Sequence, residues 1–280
     1  LINRAAQGLY ELGSTFKIFT AATSLEKGLA NPQTIIDTTP FKWNRKTYKD
    51  YKNYGPTNSV EDIIMKSSNV GTIRMALAAG TTAQKKTLND LGFFEAVPVE
   101  LGEASRTKPQ IPKNWSDTST ITISFGHGIS ATPLHLATAY SIVANGGFRV
   151  KPTIKKVNSN NLAKEKVISQ KTSQQLISML RRVVSEVDGT AKMAKVDGYQ
   201  VAGKTGTAEK IKPTGGYYDK KVIATFASFF PASNPKYTLV VSLDEPEIEV
   251  LCESRRTAGF TAVPVAAEII TRVAPILNLL

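Results

Sequence analysis

Two short stretches of the sequence contain residue types that could carry out nucleophilic chemistry: ELGSTFKIFT, which begins at residue 11, and VAGKTGTAEK, which begins at residue 201. In the first stretch, Ser14 and Lys17 are one helical turn apart, so their side chains would share a helix face, about 5–6 Å apart at Cβ. A lysine whose pKa is lowered by burial or by nearby positive charge could accept the serine proton. The spacing alone carries little information, because a capping serine followed by a solvated lysine is common. Three further pairs share it: Ser24 with Lys27, Ser105 with Lys108, and Ser233 with Lys236.

The second stretch contains Lys-Thr-Gly-Thr, which occurs once in the chain. Gly206 lies inside a strand-like pattern, which indicates that another backbone or a ligand approaches the strand closely. Lys204 supplies a positive charge, and the hydroxyls of Thr205 and Thr207 are suited to binding a carboxylate. The alternative interpretation is an edge strand of β-branched residues with a glycine bulge.

A third motif lies between the first two. Ser-x-x-Lys, Ser-x-Asn and Lys-Thr-Gly together are the signature of class A β-lactamases and penicillin-binding proteins. Two Ser-x-Asn triplets occur in this interval, Ser67-Ser68-Asn69 and Ser159-Asn160-Asn161. The first lies at a break between two predicted helices, where a side chain can point into a cleft, whereas the second lies in a polar stretch that predicts a turn. We therefore expect Ser14, Ser67 and Lys204 to share one active site.

Helices are predicted around these motifs from apolar spacing and from capping residues. A helix follows Gly13, and Ser59 with an acid three residues later at Asp62 gives the capping pattern of another. Thr132, followed by proline, begins a third. Further helices are predicted within SSNVGTIRMALAAG, TAQKKTLNDLGF and TSQQLISMLRRVVSEV.

The last third of the chain changes to the pattern of strands. The segments GYQVAGKTGTAEK, KVIATFASFF and KYTLVVSLDEP predict an antiparallel three-stranded meander, and residues 263–273 predict a helix that covers one of its faces. Residues 32–56 predict a long surface excursion, and residues 97–120 predict an irregular, proline-rich segment. The expected fold class is therefore α+β, with a helical body packed on an antiparallel β-sheet.

Composition excludes several classes of protein. The net charge is +12, but the basic residues are scattered, without the stripe or the aromatic pattern of a nucleic-acid-binding protein. We expect this charge to attract an anionic surface or substrate, and the alternative is that it serves solubility alone. A single cysteine excludes an internal disulfide, and with two histidines it argues against a zinc site. No run of 18 apolar residues occurs.

With these motifs in place, the sequence resembles the transpeptidase domain of class B penicillin-binding proteins, most closely the division-specific, septal branch. The resemblance covers nearly all of residues 1–280 and rests on NRAAQGLYELGSTFKIFTAA, IIMKSSNVGTIRMAL, ITISFGHGISATPLHLATAYSIVANGG, GYQVAGKTGTAEK and AGFTAVPVAAEII. The Ser-Ser-Asn form of the second motif favours the septal branch over the elongation branch. The resemblance implies the fold shared by penicillin-binding transpeptidases and serine β-lactamases.

The resemblance also implies a reaction. A peptidoglycan D,D-transpeptidase transfers the D-Ala-D-Ala end of a stem peptide through an acyl-enzyme to the amine of a neighbouring stem, and β-lactam antibiotics acylate it as substrate mimics. Ser14 would be the nucleophile, Lys17 its base, and the backbone N–H groups of Ser14 and Thr207 the oxyanion site. The full set implied is Ser14, Lys17, Ser67 and Lys204 for catalysis, and Asn69, Thr205, Gly206 and Thr207 for substrate binding. It includes no cofactor and no metal.

The sequence departs from the family pattern at several points. Leu12 stands where the family usually has proline, and His127 stands where it often has an aromatic residue. We expect His127 to be an ordinary loop histidine, although it could tune access to the cleft, and Cys252 to be a buried small side chain. We also expect that residues 1–280 lack the family's N-terminal sheet strands, pedestal domain and membrane anchor.

Three other functions stay open from the sequence. A serine β-lactamase would hydrolyse its acyl-enzyme, but the Glu-x-x-Leu-Asn segment that often supplies the deacylating base does not occur. A β-lactam sensor would be acylated without crosslinking peptides, and an inactive remnant would not react. We expect a transpeptidase at the periplasmic face of the bacterial inner membrane, which acts with other division proteins.

Overall fold

The structure is a computed structural model that describes residues 2–158, 162–250 and 252–279. Its helices are α1 (Arg4–Gln7), α2 (Lys17–Glu26), α3 (Val60–Lys66), α4 (Asn69–Ala79), α5 (Thr81–Asp90), α6 (Asp117–Ser124), α7 (Pro133–Ala144), α8 (Gln170–Ser185) and α9 (Ala262–Ile276). Its strands are β1 (Ile35–Asp37), β2 (Phe41–Trp43), β3 (Lys46–Tyr48), β4 (Thr57–Ser59), β5 (Phe148–Val150), β6 (Lys164–Lys166), β7 (Ala202–Ile211), β8 (Tyr217–Phe230), β9 (Tyr237–Asp244), β10 (Ile248–Val250) and β11 (Glu253–Arg255). Short 3₁₀ turns occupy Gly13–Phe16, Ala104–Arg106 and Lys192–Ala194.

The main sheet is the antiparallel meander β7-β8-β9, as the sequence predicted. Its register pairs Gly206 with Thr225 and Thr225 with Ser242. The last helix, α9, packs against β8 and β9 through a buried stripe at helical spacing and is longer than the predicted 263–273. Helix α8 packs against β7, which bears the Lys-Thr-Gly motif, so the α+β prediction is confirmed.

Local capping explains where the predicted helices begin. The Ser59 hydroxyl accepts a hydrogen bond from the Asp62 N–H at the start of α3, and the Thr132 hydroxyl accepts one from the His135 N–H at the start of α7. Such a cap satisfies a backbone donor that has no partner within the helix, and contributes about 1 kcal/mol. Both predicted caps are confirmed.

The centre of the helical body is an aromatic cluster next to the start of α2. The ring of Phe19 lies 5.4 Å from that of Phe16, 5.3 Å from that of Phe93 and 5.7 Å from that of Tyr140, all measured between centroids. All four side chains are fully buried. Burying such a side chain stabilises the fold by about 1.5–3 kcal/mol, so the turn that precedes α2 rests on a rigid base.

Two segments for which no helix or strand was predicted contain regular structure. Residues 97–120 include the start of α6, whose sequence DTSTITIS is rich in β-branched residues and therefore predicts helix poorly. It forms a helix because Ser116 caps it and because Ile121 and Ile123 are buried against the body, so tertiary packing outweighs propensity. Residues 32–56, which we predicted to form a long surface excursion, are mostly exposed and contain β1, β2 and β3, of which β2 and β3 pair as a hairpin.

The expectation for Cys252 is wrong. Its side chain is exposed, and its backbone has a φ of +61° in the turn between β10 and β11. A lone cysteine is usually buried, but Cys252 is exposed because it lies in a surface turn. The second Ser-x-Asn triplet, Ser159-Asn160-Asn161, lies outside the residues that the structure describes.

Candidate active site

Ser14 lies in the 3₁₀ turn that leads directly into α2 and is half-buried. Several hydrogen bonds fix this turn. The Gly13 N–H donates to the carbonyl of Gly126 at 3.2 Å, and the Thr15 hydroxyl donates to the carbonyl of Leu12 at 2.9 Å. The buried Tyr140 hydroxyl donates to the Thr15 carbonyl at 2.9 Å. The N-terminus of a ten-residue helix thus begins next to Ser14, where it favours developing negative charge.

Two glycines let the serine turn and strand β7 come into direct contact. A Cβ on Gly206 would lie 2.2 Å from the carbonyl oxygen of Leu12, and a Cβ on Gly13 would lie 2.9 Å from the carbonyl oxygen of Thr207. Gly13 also has a φ of +53°, in the left-handed region that side chains other than hydrogen disfavour. The close backbone approach that Gly206 predicted is therefore confirmed, and the approaching backbone is the serine turn.

Lys17 is fully buried one turn after Ser14. Its Nζ donates to the Ser67 hydroxyl at 3.0 Å and to the Ser67 carbonyl at 2.5 Å. Burial lowers the pKa of Lys17 to about 7, although the nearby carboxylate of Asp50 acts in the opposite direction. A substantial share of the Lys17 side chains is therefore neutral near neutral pH and able to accept a proton.

Ser67 lies at the break between α3 and α4 that the sequence predicted. Its φ of +63° and ψ of +42° are those of the left-handed region, which is strained for a residue with a side chain. This conformation ends α3 and lets a new helix begin at Asn69. It also turns the Ser67 hydroxyl toward Lys17, and strain of this kind is common at functional sites.

Asp50 holds the start of α4 and was not identified from the sequence. One of its carboxylate oxygens accepts hydrogen bonds from the backbone N–H groups of Asn69, at 2.6 Å, and Val70, at 3.0 Å. The other accepts from the Ser68 hydroxyl at 2.6 Å. A signal was present in the sequence, because Asp50 is the single acid in the basic stretch KWNRKTYKDYKN.

Lys204 is fully buried on β7. Burial and the positive charge of Lys17 hold its pKa well below the usual range of a lysine. Its Nζ donates to the carbonyl of Thr205 at 3.3 Å. The positive charge of Lys17 therefore acts on Lys204 and favours the neutral form of its amine.

The two threonines of the third motif have partners of their own. The hydroxyls of Thr205 and Thr190 lie 2.7 Å apart, and the hydroxyl of Thr207 accepts a hydrogen bond from the Ala258 N–H at 3.0 Å. These contacts orient both hydroxyls, and the accepting role leaves the proton of Thr207 available for a further partner. Thr190 and Ala258 were not identified from the sequence, because neither carries a distinctive motif.

A polar cluster lies beside the serine turn. Glu11 is buried, and its Oε1 accepts hydrogen bonds from the Gly128 N–H at 2.6 Å and from the Tyr217 hydroxyl at 3.2 Å. The His127 ring packs between the rings of Phe125 and Tyr217, so this histidine is more than a solvated loop residue. Burial is the main cause that lowers the pKa of His127 to about 4, which keeps the ring neutral at pH 7.

The structure therefore brings the serine turn, the Ser67 break and the Lys204 strand to one place, and leaves Asn69 half-buried at the start of α4. Among the described residues, no group of three or more histidine, cysteine or acidic side chains could hold a metal ion. No helix within the same residues is long and apolar enough to cross a bilayer.

Comparison with known proteins identifies the family of this chain. Residues 1–271 match the family described as penicillin binding protein transpeptidase domain. The chain is 34% identical over 99% of its length to a probable peptidoglycan D,D-transpeptidase FtsI of Caulobacter vibrioides, and 34% identical over 88% of its length to peptidoglycan D,D-transpeptidase FtsI of Escherichia coli. It covers 48% and 41% of those relatives, so it spans somewhat less than half of their length.

Solved structures agree with the sequence relatives. The transpeptidase domain of penicillin-binding protein 3 from Burkholderia pseudomallei superimposes with a TM-score of 0.90 at 30% identity, over 99% of this chain and 82% of that one. Penicillin-binding protein 3 of Mycobacterium tuberculosis, complexed with aztreonam, gives a TM-score of 0.85 at 30% identity, over 99% of this chain and 64% of that one. The chain belongs to the penicillin-binding protein transpeptidase domain family.

Proposed function

We propose that this chain is the transpeptidase domain of a septal penicillin-binding protein, in which residues 1–280 form an acyl-transfer site for D-Ala-D-Ala stem peptides. The observation that carries the proposal is the buried Lys17, whose Nζ lies 3.0 Å from the Ser67 hydroxyl and whose pKa is lowered to about 7. A neutral amine beside a serine turn at a helix N-terminus is the arrangement that serine acyl transfer requires.

In the proposed reaction, neutral Lys17 removes the Ser14 proton as Ser14 Oγ attacks the penultimate D-Ala carbonyl. The tetrahedral oxyanion lies between the backbone N–H groups of Ser14 and Thr207. These two groups belong to the serine turn and to β7, which are in direct contact. Collapse breaks the C–N bond. Ser67 passes its hydroxyl proton to the departing D-Ala amine and regains a proton from Lys17, whose Nζ lies 3.0 Å from the Ser67 hydroxyl. Lys204, the buried lysine of β7, would support this proton transfer through its effect on the local electrostatic potential.

The remaining motif residues would bind the substrate. Asn69 would hold the stem-peptide amide, and Thr205 and Thr207 would hold the terminal carboxylate, with Gly206 allowing the strand to approach the serine turn. The amine of a second stem peptide then attacks the acyl-enzyme, and the new C–N bond replaces the bond between the acyl carbon and Ser14 Oγ. The amine proton returns to Ser14 Oγ by way of Lys17, and the two peptides leave crosslinked. A β-lactam would acylate Ser14 in the same way and leave it blocked. We place the domain at the periplasmic face of the inner membrane, where division proteins would be its partners.

Intact mass after incubation with benzylpenicillin tests this proposal. We expect a persistent adduct of one drug molecule on the wild type and none on Ser14→Ala, with circular dichroism showing that both are folded. A crosslinking assay with two stem peptides then separates a transpeptidase from a β-lactam sensor. An adduct that forms and disappears within minutes would instead identify a serine β-lactamase. A folded wild type that stays unmodified would overturn the proposed site.

A further inference from the structure

A strongly basic segment lies outside the residues that the proposed reaction uses. Residues 41–52, here called the basic hairpin, contain strands β2 and β3 and the residues that follow them. Five of its side chains are cationic and exposed: Lys42, Arg45, Lys46, Lys49 and Lys52. Its one acid, Asp50, is directed inward to the start of α4. None of the five cations forms an ion pair with another residue in the described part of the chain, so their charge is available to a ligand.

The basic hairpin is fixed to the body and is not a loose loop. The rings of Phe41 and Tyr48 stack at 5.7 Å, and Tyr48 is buried against Ile73 and Ile121. The guanidinium of Arg74 lies over the Phe41 ring at 5.0 Å. Because apolar and cation–π contacts hold its base, the hairpin presents its cations in a defined position at little further entropic cost.

The basic hairpin also lies next to the active site. Asp50, near its end, bonds directly to Ser68 and to the Asn69 backbone of the second motif. After burial, the positive charges of Lys17 and Lys46 also lower the pKa of His127. A ligand that extends out of the site on this side would approach the hairpin cations.

We propose that the basic hairpin is a secondary substrate-binding surface, which attracts and holds the side carboxylates of an acidic stem peptide whose reacting end occupies the site. This inference rests on the proposed function. Single exposed ion pairs contribute little, so the hairpin acts through several cations together. Their summed field raises the association rate of an anionic ligand, and salt screens the effect.

Neutralising the hairpin tests the proposal. The variant K42Q/R45Q/K46Q removes three cations, and K151Q/K156Q/K171Q removes three exposed lysines elsewhere as the matched control. The probe is a fluorescently labelled pentapeptide that ends in D-Ala-D-Ala and carries two free side carboxylates, compared with the same peptide in which both are carboxamides. Binding is measured by fluorescence anisotropy at low salt and at 0.5 M salt, which leaves a Debye length of only about 4–5 Å.

We expect the wild type and the control to bind the acidic peptide about tenfold more tightly than the amide at low salt, which is the lower end of electrostatic steering. The hairpin variant should lose this preference, and 0.5 M salt should remove it from the wild type and from the control. Benzylpenicillin should acylate all three equally, which shows that the site is intact in each. If no protein is acylated but the preference behaves as expected, the proposed function fails and the hairpin surface stands.

Three results would overturn the inference. The hairpin variant could keep the preference for the acidic peptide, or it could lose affinity for both peptides equally, which would make the hairpin merely structural. A tighter interaction of the wild type with polyphosphate than with the acidic peptide would assign the surface to a phosphate polymer instead.

Discussion

The contacts of Asp50 lead to a prediction with two independent readouts. Its carboxylate accepts three hydrogen bonds at the start of α4 and also favours the charged form of Lys17. Asp50→Asn keeps the shape and removes the charge, which costs about 1–2 kcal/mol at a partly buried helix N-terminus. Asp50→Ala also leaves the donors of Asn69 and Val70 without their partner, which brings the loss to about 3 kcal/mol. At about 2–4 °C per kcal/mol, the melting temperature should fall by about 6–12 °C for the alanine variant.

The second readout is the pH dependence of acylation. The base form of Lys17 increases as the pH rises through its pKa, so the acylation rate should rise with a midpoint near pH 7. Without the Asp50 charge, the ammonium of Lys17 loses a favourable neighbour and its pKa falls further. The midpoint for Asp50→Asn should therefore move to lower pH, while the plateau rate falls because Ser68 and Asn69 are held less firmly.

Benzylpenicillin acylation, followed by intact mass from pH 5 to pH 9, measures this midpoint, and thermal unfolding measures stability. Asp37→Asn is the matched control, since it removes an acid that pairs with Arg74 on the exposed side of the same region. Its acylation midpoint should stay at the wild-type value. A midpoint for Asp50→Asn that stays in place or moves to higher pH would refute the proposed coupling between Asp50 and Lys17.

Two other substitutions test the packing around the serine turn. Gly206→Ala would place a Cβ 2.2 Å from the Leu12 carbonyl oxygen, so the turn and β7 must separate, and acylation should slow by about 100-fold in a protein that still folds. Gln in place of Glu11 keeps the acceptor for Gly128 and Tyr217 but cannot ionise. Burial raises the pKa of Glu11 above 4.5, so the wild type loses stability as the pH rises from 4.5 through the folded-state pKa. Glu11→Gln does not ionise and avoids this loss. Its melting temperature relative to that of the wild type should therefore be higher at pH 7 than at pH 4.

Each of these substitutions has a control in the chain. Gly102→Ala adds a Cβ that meets no atom within 4 Å, and its acylation rate should equal that of the wild type. Glu209→Gln removes an exposed carboxylate on β7 and should show no comparable change with pH. An unchanged rate in Gly206→Ala would show that the turn and β7 need not touch, and a pH-independent difference for Glu11→Gln would show that Glu11 is not destabilised by ionisation.

The sequence predicted the features that depend on local chemistry. The caps at Ser59 and Thr132 satisfy helix donors within three residues, and the segments from residue 202 onward are rich in β-branched and aromatic residues between turn signals. The helix break at Ser67 was likewise visible, because two polar residues interrupt an apolar helical pattern. These features therefore needed no knowledge of the tertiary structure.

What the sequence could not predict depends on contacts between distant segments. The helix α6 forms from β-branched residues because the body buries them, and Asp50 reaches the second motif only once the excursion of residues 32–56 has folded back. The third motif includes Thr205 and Thr207. Thr190 and Ala258, which orient the hydroxyls of these two threonines, lie in other parts of the chain and belong to no motif. Long-range partners of this kind leave no periodic pattern in the sequence.

The position of the site inside the core follows from the chemistry that we propose for it. A serine site without a histidine base needs a neutral lysine near pH 7, and lowering the pKa of Lys17 from 10.5 to about 7 costs folding roughly 5 kcal/mol at neutral pH. Only a well-packed interior excludes enough water to lower a lysine pKa so far. The aromatic cluster around Phe19 stabilises the fold and so offsets part of the free-energy cost of burying this amine.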